Sequence, residues 1–177
     1  MNQRISQAIE EMQTHQGESL KEMTDQQPVL IAFLRHLGCV FCMEAMKDIK
    51  EQRQEIESRN VRICLVHMGE PEIAEGFFAD YGLDDVAHVS DPTCEYYDSF
   101  GLLKGKFNQL FGLQVWLRTA QVAVKDIAVL RRKQIGDGFQ MPGVFLVHKG
   151  ELLESYIHRR ASDRPDYISM SSCDACG

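Results

Sequence analysis

Six consecutive apolar residues, Val29-Leu30-Ile31-Ala32-Phe33-Leu34, follow Pro28 without a polar interruption. A run of this length suits a strand buried on both faces, and such a strand needs a covering layer on each side. After Arg35-His36-Leu37-Gly38 the period changes: Cys42, Ala45, Met46, Ile49 and Ile56 share one helical face, and Glu44, Lys47, Lys50, Glu51, Glu55 and Glu57 lie elsewhere. That is a surface helix to about Ser58. Val61-Arg62-Ile63-Cys64-Leu65-Val66 then reads as a second strand. Strand, helix and strand at this separation form a right-handed βαβ unit with parallel strands, which sets the class as α/β.

The rest of the chain fits around that unit. Ile5, Ala8, Ile9 and Met12 recur at helical spacing, predicting an amphipathic helix over the first fifteen residues, with Gly17 interrupting before Leu20 and Met23. Glu70-Pro71-Glu72 opens a helix expected to reach Tyr81 and stop at Gly82, and Val86 to Val89 form a third strand. Ser90-Asp91-Pro92 predicts a short helix with Asp91 as N-cap and Pro92 at its first position, ended by Gly101. Val144 to Val147 and Leu152 to Ile157 flank a short turn-bearing link and predict an antiparallel hairpin, completing a mixed sheet. The expected organisation is an N-terminal helical segment over 1–27, a domain over 28–168 with an insertion at about 103–138, and a loose tail over 169–177.

With 177 residues, a single domain of this size buries roughly 70% of its unfolded surface and needs neither disulfide staples nor a structural metal. Special use of its six cysteines therefore points away from scaffolding. Nineteen Lys and Arg stand against 26 Asp and Glu, a formal charge of -7, and no basic cluster suits a phosphate backbone. Nucleic acid is not an expected partner. The polar first fifteen residues carry Glu10 and Glu11 where an export signal needs an apolar core, and the stretch from Gln109 to Val124 is broken by Gln114, Arg118 and Gln121. The expectation is a cytoplasmic protein with no membrane association, whose thiols are reduced unless a pair is built to cycle.

Cys39-Val40-Phe41-Cys42 sits where the first strand gives way to the helix. A helix N-terminus favours thiolate over thiol and lowers a cysteine pKa from about 8.5 toward neutrality. Cys39 is then a nucleophile at cellular pH, and Cys42, nearly one turn on, can resolve a mixed disulfide formed on it. The other readings of the motif are a buried pair of helix cysteines, or half of a zinc site completed by Cys173 and Cys176. The same tail pair could instead relay electrons. Met141-Pro142-Gly143 precedes the strand from Val144, and the context favours a cis Met141-Pro142 bond bending the backbone against the cysteines. Arg35 and His36 are supporting candidates that favour thiolate by charge or proton transfer, against the blander reading of a solvated loop. Cys64 reads as an inert strand residue, Cys94 as a lone thiol near a helix start, and His67, His88, His148 and His158 as packing or surface histidines. No cofactor or metal is expected.

The segment Phe33 to Cys42, Val89-Ser90-Asp91-Pro92 with Phe100-Gly101-Leu102, and Gly138 to Leu146 together resemble the thioredoxin fold. More narrowly they resemble the peroxiredoxin-like, AhpC/TSA-related family that includes selenoprotein L and its cysteine-containing relatives. With Arg159 to Tyr167, the likeness covers most of residues 29 to 167. It implies a thioredoxin-like core and thiol redox chemistry, with Cys39 and Cys42 at the family's paired redox positions. True peroxiredoxins place a Pro and a Thr before the peroxidatic cysteine, whereas His36 stands three residues before Cys39. A dedicated peroxidase also needs an Arg beside its thiolate, for which Arg35, Arg118 and Arg131 are the candidates. The expected activity is thiol-disulfide exchange on a thiol or disulfide substrate, driven by a protein or small-molecule thiol reductant. The alternatives are peroxide reduction by the same cysteines and non-catalytic zinc binding.

Overall fold

The computed structural model describes residues 2–105 and 135–172. Five strands form one sheet in the order β3-β2-β1-β4-β5, comprising β1 (Val29–Phe33), β2 (Arg62–His67), β3 (Ala87–Ser90), β4 (Gly143–His148) and β5 (Glu151–Ile157). β1 pairs parallel with β2, and β2 parallel with β3. β4 runs antiparallel to both β1 and β5. Every residue of β1 is buried, as expected of a central strand with both faces covered.

The helices are α1 (Asn2–Glu11), α2 (Leu20–Gln26), α3 (Val40–Ser58), α4 (Pro71–Ala79), α5 (Glu95–Ser99) and α6 (Tyr167–Met170). The sheet separates two apolar layers. Leu30, Ala32 and Leu34 pack with α3, α4 and Tyr167 of α6 on one side. Val29, Ile31 and Phe33 pack with α1, α2 and α5 on the other, where the Phe33 ring meets Tyr97, Phe100 and Phe145. The alternation of β1 side chains thus assigns successive residues to opposite cores. The architecture is the thioredoxin-like α/β fold expected from the sequence.

Several local boundaries differ from expectation. α1 stops at Glu11 rather than His15, and α2 begins with a capping box in which Ser19 and Glu22 satisfy each other's backbone N–H groups. α4 opens on Pro71 but ends at Ala79, with a turn carrying the chain to Gly82. Asp91 and Pro92 precede α5 instead of starting it: Cys94 is the N-cap, in the left-handed region at φ 62°. Asp91 still caps the helix from a distance, accepting the backbone N–H groups of Glu95, Tyr96 and Tyr97 at 3.0, 2.8 and 3.2 Å. Ser169 lies inside α6, capped by Asp166, and Ser171 is buried, so the chain is held past the expected start of the tail.

The expected insertion is pinned at its ends. Leu37 bridges Ile135, and Lys104 bridges Gln140. Residues 106–134, with Arg118 and Arg131, and residues 173–177, with Cys173 and Cys176, lie outside the described residues.

Candidate active site

β1 delivers the chain to the site with its end fixed. The Leu34 N–H donates to Val66 O at 2.8 Å, and the buried Tyr97 hydroxyl donates to Leu34 O and Val66 O, so the ends of β1 and β2 are tied together. The next residues turn sharply. Gly38 takes φ 94°, a conformation that a Cβ would strain, and this places Cys39 at the N-cap of α3. Cys42 follows in the first turn. Both thiols are reduced and buried, with Cys39 6% and Cys42 3% exposed.

Four groups act on the Cys39 sulfur. A hydrogen bond from Cys42 contributes most to holding its pKa well below the ordinary cysteine value, against the opposing effect of burial, and a hydrogen bond from His36 and the Arg35 charge add to it. The partially positive end of α3 acts in the same sense. Cys42 moves the other way, pushed well above the ordinary value by burial and then by its contact with Cys39. The two sulfurs therefore differ in kind: the pKa of one is lowered and that of the other raised, with Cys42 the donor between them.

Arg35 is where the loop reading fails. It is 6% exposed, and its guanidinium is spread over three acceptors. Nη1 donates to Cys39 Sγ at 3.3 Å, Nε to Gln140 O at 3.4 Å, and Nη2 to Gly138 O. The acceptors on the far strand entry are carbonyls, so they orient the cation without neutralising it. His36 is half-buried, and its backbone O accepts the Cys39 N–H at 3.1 Å.

The Met141-Pro142 bond is trans, contrary to the cis form expected from context. The register explains how the loop reaches the site regardless: Phe33 of β1 pairs with Gly143 of β4, so the residues just before Gly143 lie beside those just after Phe33. Met141 is buried against Ala161 and Phe41, the residue between the two cysteines. Pro142 lines a small cleft of about 30 Å³ together with Arg35, Phe41, Cys42 and His158.

Gln140, Asp48 and His158 belong to this neighbourhood without having been legible as site residues. The Gln140 side chain is buried and donates to Leu102 O at 2.6 Å, fixing the carbonyl that holds Arg35. Asp48, one turn and a half beyond Cys42, makes a two-pronged ion pair with Arg164 at the cleft wall. His158 sits at the end of β5, its pKa driven down to about 4 by burial, so its ring is neutral near pH 7. Of the remaining residues, Cys64 is buried in β2 and pushed up to about 12 by desolvation, which makes it inert. Cys94 is also raised by desolvation.

A thioredoxin-like sheet with one cysteine at the N-cap of its first central helix and a second in the following turn is an arrangement suited to thiol redox chemistry. The match to a family model is specific. The AhpC/TSA family model covers residues 6–155, and the chain belongs to that family. No curated protein matches it. Among solved structures, peroxiredoxin Q of Xanthomonas campestris is 16% identical with a TM-score of 0.57, covering 86% of this chain and 83% of that chain. The thiol peroxidase of Chromobacterium violaceum is 13% identical at TM-score 0.58, covering 89% and 77%. Peroxidoxin BcpB of Mycobacterium tuberculosis is 15% identical at TM-score 0.53, covering 85% and 82%. These likenesses show the shared fold. No helix among the described residues is long and apolar enough to cross a membrane.

Proposed function

We propose that the protein cycles between a Cys39–Cys42 dithiol and disulfide, with Cys39 attacking and Cys42 resolving. The observation that supports this reading is the Arg35 guanidinium 3.3 Å from Cys39 Sγ at the N-cap of α3, beside the opposed perturbation of the two cysteines, Cys39 lowered and Cys42 raised. In thiol-disulfide exchange, the Cys39 thiolate attacks a substrate disulfide and expels one of its sulfurs as thiolate. Cys42 then loses its proton and attacks Cys39, releasing the second substrate thiolate and leaving the internal disulfide. Met141 and Pro142 shape the approach, and Arg35 and His36 support the thiolate. The proposed setting is the cytoplasm, where a thiol pool can regenerate the pair.

A second reading shares these residues. The Arg35 guanidinium on a nearly buried sulfur favours a small electrophile, and a peroxide fits that description. Attack of the thiolate on one peroxide oxygen would break the O–O bond, release an alcohol or water and leave a sulfenic acid at Cys39. Cys42 would then condense with it, losing water to give the same disulfide.

The test is to equilibrate the protein in thiol buffers of defined potential, alkylate the free thiols and map each cysteine by mass spectrometry. A reversible Cys39–Cys42 disulfide is expected, and with Cys42→Ser a mixed disulfide should persist on Cys39. If Cys39 and Cys42 never pair, the proposed cycle is wrong. Stopped-flow oxidation by hydrogen peroxide and by a model disulfide then ranks the two oxidants.

A further inference from the structure

The carbonyls that orient Arg35 lie on a turn at the protein surface. The turn runs from Asp137 to Gln140. The Gln140 N–H donates to Asp137 O at 3.2 Å, and the Phe139 N–H donates to Asp137 Oδ1 at 2.8 Å. Gly138 O and Gln140 O face Arg35, while Phe139 O accepts the Gly105 N–H at 2.7 Å. Asp137 and Gly138 are half-buried and Phe139 is exposed, so Gln140 alone of the four turn residues is buried.

Two side-chain ties fasten this turn to the stretch after α5, and they are unequal. The Lys104–Asp137 ion pair at 2.7 Å stands in water, with the lysine side chain 70% exposed, and such pairs hold a backbone weakly. The Gln140 carboxamide instead donates to Leu102 O at 2.6 Å, and Leu102 is fully buried. Removing that donor strands a buried carbonyl, which is the costlier loss. Leu102 is a firm anchor, because its own N–H donates to Tyr97 O at 2.8 Å at the end of α5.

Arg35 turns the position of these carbonyls into an effect on sulfur. Its planar guanidinium reaches Gly138 O, Gln140 O and Cys39 Sγ at once, and a shift of the first two breaks that three-way fit. The attraction between cation and sulfur falls as their separation grows. Taking Cys39 as the attacking thiol proposed above, we propose that Gln140 is a positioning residue for it: the carboxamide, anchored on Leu102 O, holds the two carbonyls where they aim the Arg35 guanidinium at Cys39 Sγ. The route runs through Arg35 and not through contact of Gln140 with the sulfur.

The test compares Gln140→Met, Arg35→Met and the double variant in the full chain by the pH dependence of iodoacetamide alkylation at Cys39, read by peptide mass spectrometry. Gln140→Met keeps a side chain of similar length and loses the donor. The Cys39 midpoint should move to higher pH, by less than in Arg35→Met because the cation is still present. In the Arg35→Met background the same change should add no shift, as expected of two residues acting along one route. A Gln140→Met profile superimposed on the native one overturns the inference. An equal shift with and without Arg35 also overturns it, since general loosening of the fold gives that result. Gln140→Glu is the second variant if Gln140→Met does not fold. It keeps the shape, replaces the donor by a carboxylate oxygen and sets a negative charge near the guanidinium, so the midpoint should again rise, and an unmoved midpoint counts equally against the proposal. If Arg35→Met itself leaves Cys39 unchanged, the reading of Arg35 and Cys39 fails and this inference with it, whereas a shift in Arg35→Met with none in Gln140→Met leaves that reading standing.

Discussion

Replacing Arg35 with Met tests the electrostatic effect of the guanidinium on Cys39. The guanidinium lies 3.3 Å from Sγ and both groups are nearly excluded from water. Two unit charges at that separation attract by about 5 kcal/mol at an effective dielectric of about 20, before the cost of burying the cation is subtracted. A neighbouring opposite charge lowers the pKa of a thiol, so Arg35→Met should raise that of Cys39. The sign follows from the removed cation: the thiolate loses stabilisation, its pKa rises, and reactivity at a fixed pH below that pKa falls. Arg35→Lys keeps the charge but not the fork that reaches Gly138 O and Gln140 O, so it should lie between Met and the native residue. Cys42→Ala, which deletes the largest contributor, should shift Cys39 further than Arg35→Met does. The assay is the pH dependence of iodoacetamide alkylation at Cys39, read peptide by peptide so that the other five cysteines do not contribute. A Cys39 profile in Arg35→Met superimposable on the native one, with the circular dichroism spectrum intact, would refute the reasoning.

Three further outcomes follow from the packing. In Gly143→Ala the new Cβ meets Leu102 Cδ2 at 2.6 Å and Tyr156 O at 3.2 Å, and the overpacking should cost about 1–3 kcal/mol in urea unfolding. Asp91→Ala removes the acceptor for three N–H groups of α5 and should cost about 2 kcal/mol, seen as a lower Tm. Burial depresses His67 to about 4 and His88 to about 3, below the ordinary 6.5, so the unfolded chain takes up protons there before the folded one does. The stability they confer is complete above about pH 6.5 and is lost as pH falls toward 4 and 3, with His67 alone worth on the order of 3 kcal/mol. Replacing both with Gln should flatten that part of the stability–pH curve; an unchanged acid limb would contradict it.

The sheet was legible because β1, β2 and β4 carry apolar runs, and β1 and β2 were separated by a helix of clear period. The cysteine pair was legible for the same reason: its position at a strand-to-helix junction depends on local pattern alone. What escaped was set by distant parts of the chain. Arg35 reads as a loop residue until the segment leading into β4 supplies its acceptors, Gly138 O and, 105 residues away, Gln140 O. Nothing in the spacing of His15, His67 and His88 announces that the first and last stack at 3.7 Å while His67 hydrogen-bonds His88 at 3.0 Å, because three separate elements bring them together. Asp91 shows the opposite failing: its capping role was legible, but the helix start was misplaced because Cys94 adopts a left-handed conformation that a non-glycine residue rarely signals. The trans Met141–Pro142 bond is another limit of the same kind, since the pairing of Phe33 with Gly143 already carries the loop to the cysteines without a cis bend.

β1 is a party wall. Its odd-numbered residues belong to one apolar compartment and its even-numbered residues to the other, and only the latter compartment contains Cys39 and Cys42. Neither compartment can come apart without stripping one side of the strand that bounds the other, so the two are bound into one cooperative unit instead of two independently melting halves. The strand that leads into Cys39 and Cys42 is consequently held in part by helices of the opposite compartment, α1 and α2 among them.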